Sequence, residues 1–252
     1  MYISRIYYPY LNPKSLIIVK DSKFKYIVNV LRKKINDSII LFNGMGQEYY
    51  SSIHDIKKKH LILKVKRVLT INSKILFINI AQSLIKKKKF ELILEKVNEL
   101  GAFSFTPIIA DFTTKNYLFN DNKSKMIHLE KKIISSCEQN GRNQLMILNK
   151  MNTLDIFCNS VKNIKAIKIY LQPYSKNSFI DIYNKLRIIS KPNIIRNIFV
   201  VIGPEGGLSQ KEILSLKNTG FFGYHIINNV LCSETASISA VSILSNLFHH
   251  YI

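Results

Sequence analysis

Tryptophan is absent from this 252-residue chain, and cysteine and glycine are scarce, with 3 and 9 copies. Cys137, Cys158 and Cys232 are odd in number, widely spaced and free of any C-x-x-C pair, which excludes a disulfide framework. The 6 histidines form no H-E-x-x-H arrangement, so no metal site is expected. No apolar run approaches the roughly 18 residues of a membrane helix, and Arg5, Pro9, Asn12 and Pro13 interrupt the N-terminal stretch. A reduced, cytoplasmic setting is expected. Acidic residues are the remaining scarcity: 16 Asp+Glu stand against 37 Lys+Arg, a formal charge of +21. Such an imbalance points to a polyanionic partner bound in a salt-sensitive way, and RNA fits best. The chain is also crowded with Ile, Lys and Asn, as a coding bias toward A and T would produce. Lysine runs such as Lys57–Lys59 and Lys86–Lys89 are more often solvated faces than contacts, so the net charge carries more weight than any one lysine.

With 47% hydrophobic and 21% charged residues the composition is globular, and the length suits one large or two small domains. Residues 1 to about 70 read as short β segments, Ser38–Phe42, Glu48–Ile53 and His60–Val68, with a Gly44-Met45-Gly46 turn and one helix pattern at Lys23–Arg32. From about Lys74 the texture changes to alternating strands and helices, with strands near Ile75–Ala81, Phe105–Ile109, Ile164–Leu171, Asn197–Ile202 and Tyr224–Ile227. The expected fold class is therefore α/β, with a mostly parallel sheet and helices on both faces. The last helix, about Ser237 to Tyr251, puts Val241, Leu244, Leu247, Phe248 and Tyr251 on one face, and ordinary core packing accounts for most of them.

Two C-terminal stretches carry chemistry. In the first, a buried strand at Asn197–Ile202 runs into Gly203-Pro-Glu-Gly-Gly207, and Ser209 with Glu212 forms a capping box for the next helix. Glycines let the backbone approach a ligand closely, and the helix start leaves N–H groups free to bind one. A phosphate loop would need Lys-Ser/Thr after the last glycine, and a dinucleotide fold would need G-x-G-x-x-G; neither is present. The second stretch is Val230-Leu-Cys-Ser-Glu-Thr-Ala236, again a turn between an apolar run and a helix start.

Ile202-Gly-Pro-Glu-Gly-Gly207 followed by Leu231, Glu234, Thr235 and Ala236 resembles the SPOUT superfamily of knotted methyltransferases, and within it the family that methylates N3 of a uridine in 16S ribosomal RNA. Phe90–Ala102 with Pro107 is similar to that family's K-x-x-E-L-G-V segment, and Glu138-Gln-Asn-Gly-Arg142 to its E-Q-x-x-R segment. Val30-Leu-Arg32, Asn36-Asp37 and Phe42-Asn-Gly44 resemble its small N-terminal barrel. The resemblance implies a PUA-like RNA-binding β-barrel over residues 1–70. It implies a SPOUT domain with a trefoil knot over 74–252, S-adenosylmethionine (SAM) as methyl donor, a homodimer, and 16S rRNA in the small ribosomal subunit as partner. One departure stands out: Ile227, Asn229 and Cys232 occupy positions where the family pattern has a glycine and two arginines. Either other basic residues compensate or turnover is weakened.

The same resemblance implies that backbone groups of three loops hold the cofactor. Matched here they are Leu171-Gln172-Pro173, Gly203-Pro204-Glu205-Gly206-Gly207, and Ile226 with Val230-Leu231-Cys232-Ser233; Leu171 and Leu231 read equally as core residues at strand ends. Uracil N3 carries a proton, so the site must remove it or stabilise the charge left behind, and the base must be unpaired or flipped out. Arg142 is the candidate for charge stabilisation, against a structural ion pair with Glu138 four residues away. Glu138, Glu205 and Glu234 are further candidates, the last two read equally as acceptors for local backbone donors. Arg5, Arg32 and Lys86 are the expected RNA contacts. A SPOUT enzyme acting on another RNA, and a non-catalytic RNA-binding ribosome assembly factor, are the competing readings.

Overall fold

The structure is a computed structural model that describes residues 3–11, 16–70, 76–114, 123–182 and 197–249. The chain divides into two compact units: residues 1–73 with 134–145, and residues 74–133 with 146–252. The segment carrying Glu138 and Arg142 thus belongs to the first unit, although it falls inside the 74–252 span that the sequence assigns to the second domain.

In the first unit, β1 (Ser4–Tyr7), β2 (Leu16–Lys20), β3 (Ser38–Phe42), β4 (Gln47–Ile56) and β5 (His60–Thr70) form a five-stranded sheet in the order β1-β3-β4-β5-β2. All pairs are antiparallel except β1 beside β3. In β2 the side chains alternate, Ile17 and Val19 buried and Leu16 and Ile18 half-exposed, as a one-sided sheet requires. Ile6, Ile27, Ile39, Leu41, Ile53, Leu61 and Leu63 build the core. Between β3 and β4, Asn43 Oδ1 accepts from Met45 N and Gln47 N, and Gly44 and Gly46 take φ of +78° and +99°. The helix expected at Lys23–Arg32 is shorter: α1 (Asp21–Lys25) passes into a π turn at Tyr26–Val30, where Leu31 N donates to Tyr26 O, and Arg32 ends it at φ +52°.

The second unit contains β6 (Phe77–Ser83), α2 (Lys87–Glu99), β7 (Ser104–Ile109), the start of α3 (Lys123–Asn140), β8 (Ile147–Leu148), β9 (Asn152–Thr153), α4 (Leu154–Val161), β10 (Ala166–Leu171), β11 (Asn197–Ile202), α5 (Gln210–Asn218), β12 (Phe222–Tyr224) and α6 (Ser233–His249). Its seven strands run β12-β10-β11-β6-β7-β8, with β9 also on β7, and every pair is parallel. Phe199 and Val201 of β11 enter a cluster with Phe157 and Cys158 of α4 and Ile213 and Leu216 of α5. By strand alternation Ile198, Val200 and Ile202 face the other way, where α6 packs on β6, β11 and α2. Burial pushes the Cys158 thiol up to about 11, so it behaves as a small apolar core group.

Two boundaries differ from the sequence reading. The last strand is Phe222–Tyr224 rather than Tyr224–Ile227, because backbone pairing to β10 ends at Leu171↔Tyr224 and leaves Ile226 and Ile227 in a loop. The last helix begins at Ser233, four residues before the expected Ser237; the side chain of Phe248, and Tyr251, lie outside the described residues. Among the described residues no helix is long and apolar enough to cross a membrane.

Lys168 interrupts the apolar run of β10 for a local reason. Its ammonium, drawn below the usual lysine pKa by burial, donates to Lys162 O at 2.6 Å and Thr219 O at 3.2 Å, the carbonyls at the ends of α4 and α5. Lys168→Met is expected to lower unfolding free energy by about 1–3 kcal/mol, read as a shifted urea midpoint at constant slope.

Candidate active site

Because β10, β11 and β12 are parallel neighbours, their carboxyl ends meet at one edge of the sheet, the edge at which open α/β sheets bind ligands. A cavity of about 460 Å³ opens there, within the size range of small-molecule sites. Its wall takes Leu171, Gln172 and Pro173 from the loop after β10. It takes Gly203, Pro204, Glu205 and Gly207 from the loop after β11, and Ile226, Val230, Leu231, Cys232 and Ser233 from the loop after β12. These are the residues expected to form the cofactor loops, save Gly206, which packs against Phe112; a Cβ there would lie 3.1 Å from Phe112 Cβ.

Each loop is fixed by identifiable bonds. Gly207 N donates to Pro204 O at 2.9 Å, closing a tight turn, and Gly207 takes φ +76°. A Cβ on Gly203 would meet Gly207 C at 3.1 Å, whereas a Cβ on Gly207 would meet nothing within 4 Å. The turn then runs into α5 through the expected capping box: Glu212 N donates to Ser209 Oγ at 3.2 Å and Ser209 N to Glu212 Oε2 at 2.8 Å. Glu212 Oε1 also accepts from Asp111 N at 2.9 Å. The other two loops are tied together: Gln172 N donates to Tyr224 O at 3.0 Å, Ser175 Oγ to Gly223 O at 2.7 Å, and His225 N to Asn177 O at 3.0 Å.

A buried polar chain links the glycine loop to the start of α6. Ser233 Oγ donates to Gly203 O at 2.9 Å and receives from Gln82 Nε2 at 3.0 Å, while Ser237 Oγ donates to Gln82 Oε1. Gln82 and Ser237 are fully buried. Gln82 escapes the sequence reading; the available signal is a polar pair, Gln82-Ser83, ending a strand in which Asn79 is the one other polar residue. Tyr170, also unforeseen, lines the cavity beside Gly223, where an added Cβ would lie 2.9 Å from its Cζ and Oη. Gly223→Ala therefore displaces a ring that lines the cavity, and ligand affinity is expected to fall about tenfold in a calorimetric titration.

The charged candidates separate. Glu205 is exposed on the cavity wall. Glu234, in the first turn of α6, holds Lys89 Nζ at 2.8 Å through Oε1; burial opposes its ionisation, but the Lys89 hydrogen bond wins and its pKa lies below the usual carboxylate range. Lys89, another residue the sequence did not single out, lines the cavity. Glu138 and Arg142 belong to the first unit and are not among the cavity's lining residues. There Glu138 Oε1 accepts from Tyr7 N at 2.9 Å and from Lys23 Nζ at 2.8 Å. Arg142 is half-buried, and desolvation pulls its pKa below the usual arginine value. Of the expected RNA contacts, Arg5 is bound to Glu48 at 2.8 Å with 9% of its side chain exposed, and its guanidinium lies 5.3 Å from the Phe42 ring centroid. Arg32 and Lys86 are exposed.

Residues 72–245 match the family described as RNA methyltransferase domain, and residues 19–66 the one described as RNA methyltransferase PUA domain. The chain belongs to the RNA methyltransferase family. The Ribosomal RNA small subunit methyltransferase E of Buchnera aphidicola subsp. Schizaphis graminum is 30% identical to this methyltransferase over 260 residues, covering 98% of this chain and 97% of its own. A Legionella pneumophila methyltransferase solved in complex with SAM shares 31% identity and superposes with a TM-score of 0.83 over 98% of both chains. The Neisseria gonorrhoeae Ribosomal RNA small subunit methyltransferase E, at 22% identity, shares the fold with a TM-score of 0.84 over 98% of both chains. Family membership, the parallel α/β fold and the N-terminal PUA-like domain are therefore as the sequence motifs led one to expect.

Proposed function

We propose that this RNA methyltransferase transfers the methyl group of SAM to N3 of a uridine in 16S rRNA within the small ribosomal subunit. One observation carries the reading: three loops, two of them punctuated by glycine or proline, converge on a cavity at the carboxyl edge of a parallel sheet, and that cavity is lined largely by backbone and apolar groups. Main-chain donors and acceptors can hold the adenine edge and ribose of SAM without charged side chains, which fits a wall whose side-chain charges are few. The Legionella relative was solved with SAM bound. When bound, SAM supplies an electrophilic methyl on a sulfonium centre. The contribution of the chain is to hold the target base in line with that methyl, and such positioning is worth up to about 7–11 kcal/mol of barrier.

Uracil N3–H must lose its proton, so Glu205, exposed on the wall, is the carboxylate proposed to accept it, while Glu234 is engaged by Lys89. Arg32 and Arg142 of the first unit and Lys86 of the second are assigned to RNA binding, and Glu138, bound to Tyr7 N and Lys23, to holding the first unit together. The trefoil knot, the homodimer and a cytoplasmic location belong to the same reading.

Methyl transfer from labelled SAM to purified small subunits lacking the modification, followed by mapping of the labelled base, tests it. Label at uracil N3 of 16S rRNA is the expected result. Label on a different RNA would redirect the substrate, and failure of both SAM binding and labelling would favour a binding-only assembly factor.

A further inference from the structure

Among the described residues lining the cavity, Lys89 is the one lysine or arginine, and the loop from His225 to Ala236 contains neither type. Its origin is unusual. Lys86, Lys87, Lys88 and Lys89 occupy the N-cap and first turn of α2, where the helix dipole disfavours cations by about 0.3–1 kcal/mol each. No acidic residue stands in that turn to offset them. Lys86, Lys87 and Lys88 are exposed, while Lys89 is half-buried and turned to Glu234. Glu234 holds it with one oxygen, Oε1; the other, Oε2, is buried and meets no hydrogen-bonding group among the described residues. One of the three ammonium protons is thereby engaged, and two remain for a ligand.

We infer that Lys89 meets the negative charge that the target nucleotide brings to the methyl-transfer cavity, with Glu234 as the residue that positions it. The inference rests on the methyl-transfer reading above. Withdrawal of the N3 proton leaves a uracil anion with its charge spread onto the flanking oxygens, and a cation already fixed beside the base stabilises that charge without reorganising at the moment of reaction. The carboxylate of SAM is the other anion in such a complex. The nucleotide is favoured because Lys89 is the innermost of four consecutive lysines whose other members face solvent, a track suited to a phosphate backbone leading to the base. The Glu234 hydrogen bond raises the Lys89 pKa above the ordinary lysine value, and Cys232 and Glu205 act in the same direction. The ammonium is therefore charged throughout the neutral range.

The full chain is assayed in two ways: SAM affinity by calorimetry, and single-turnover methyl transfer to small subunits at saturating SAM. For Lys89→Met the SAM dissociation constant is expected to stay within about threefold while the transfer rate falls at least about a hundredfold, and Lys89→Arg should recover most of the rate. Adding Cys232→Arg to Lys89→Met should return part of the lost rate, because it restores a cation to the same wall. Glu234→Gln removes the bond that raises the Lys89 pKa, so the alkaline fall of the rate profile should move to lower pH, a change that simple loosening of α6 would not produce. A parallel loss of SAM affinity in Lys89→Met would assign the lysine to the cofactor carboxylate instead. A Lys89→Met rate within about threefold of the parent would remove Lys89 from the reaction, and an unmoved alkaline limb would remove Glu234 as its positioner. Failure of the parent protein to transfer methyl at all would overturn the functional reading and this inference together, before any variant is compared.

Discussion

Gly207→Val is expected to weaken SAM binding by at least about a hundredfold while the protein stays folded. Two effects act in the same direction. Gly207 takes φ +76°, a region that costs an ordinary residue about 1–2 kcal/mol and a β-branched one more. Its added side chain would stand in open space on the cavity wall, not in the protein interior, so it fills room that a ligand needs. Gly207→Ala separates the two effects, since it carries the backbone strain with little of the bulk; its affinity loss should be near tenfold. Calorimetric titration with SAM gives the affinities, and thermal melts shifted by only a few degrees would show that the fold survives. Unchanged SAM affinity in Gly207→Val would mean that the cavity is not where SAM binds.

Gln82→Leu should cost about 2–3 kcal/mol of stability, because a side chain of similar volume removes the polar chain without opening a large void. Ser83 O and Ser233 Oγ each lose the Nε2 donor at 3.0 Å, and Ser237 Oγ loses one of its two acceptors, keeping Ser233 O at 2.8 Å. The effect should reach the ligand as well. Ser233 Oγ is the group that fixes Gly203 O, so SAM affinity is expected to fall about tenfold although Gln82 does not line the cavity. Urea unfolding and SAM titration of the same sample read the two consequences. A stability loss without any change in affinity would show that the glycine loop keeps its shape without this support.

Much of the fold was legible because local chemistry and global architecture agree. Asn197–Ile202 is a strand by apolar run alone, and Ser209 with Glu212 announces the helix that follows. The cavity loops could be read from glycine, proline and strand ends, which are local signals. Lys89 could not. Its partner lies 145 positions away in α6, and nothing in a run of lysines tells which one turns inward. The same limit hid Gln82, whose role depends on Ser233 and Ser237 arriving from the far end of the chain. Arg5 shows the converse: a basic residue in a unit expected to bind RNA invites a phosphate contact, yet a buried partner, Glu48, sits 43 positions on. The π turn at Tyr26–Val30 was equally hidden, since a run of Tyr, Ile, Val, Asn and Val has no periodicity that separates it from an ordinary helix.

The membership of residues 134–145 in the first unit bears on how this protein can be dissected. A fragment ending near Ser73 would look like a complete module by sequence, yet it would lack the Glu138 carboxylate that receives Tyr7 N and Lys23. It would also lose the donation of Leu145 N to Gly44 O at 2.9 Å and of Gly46 N to Asn143 O at 3.1 Å, which bracket the β3–β4 turn. The N-terminal piece is therefore no detachable bead on a string. Its last strap is threaded back from the middle of the polypeptide, so swapping or transplanting this unit between chains would require grafting two separate stretches at once.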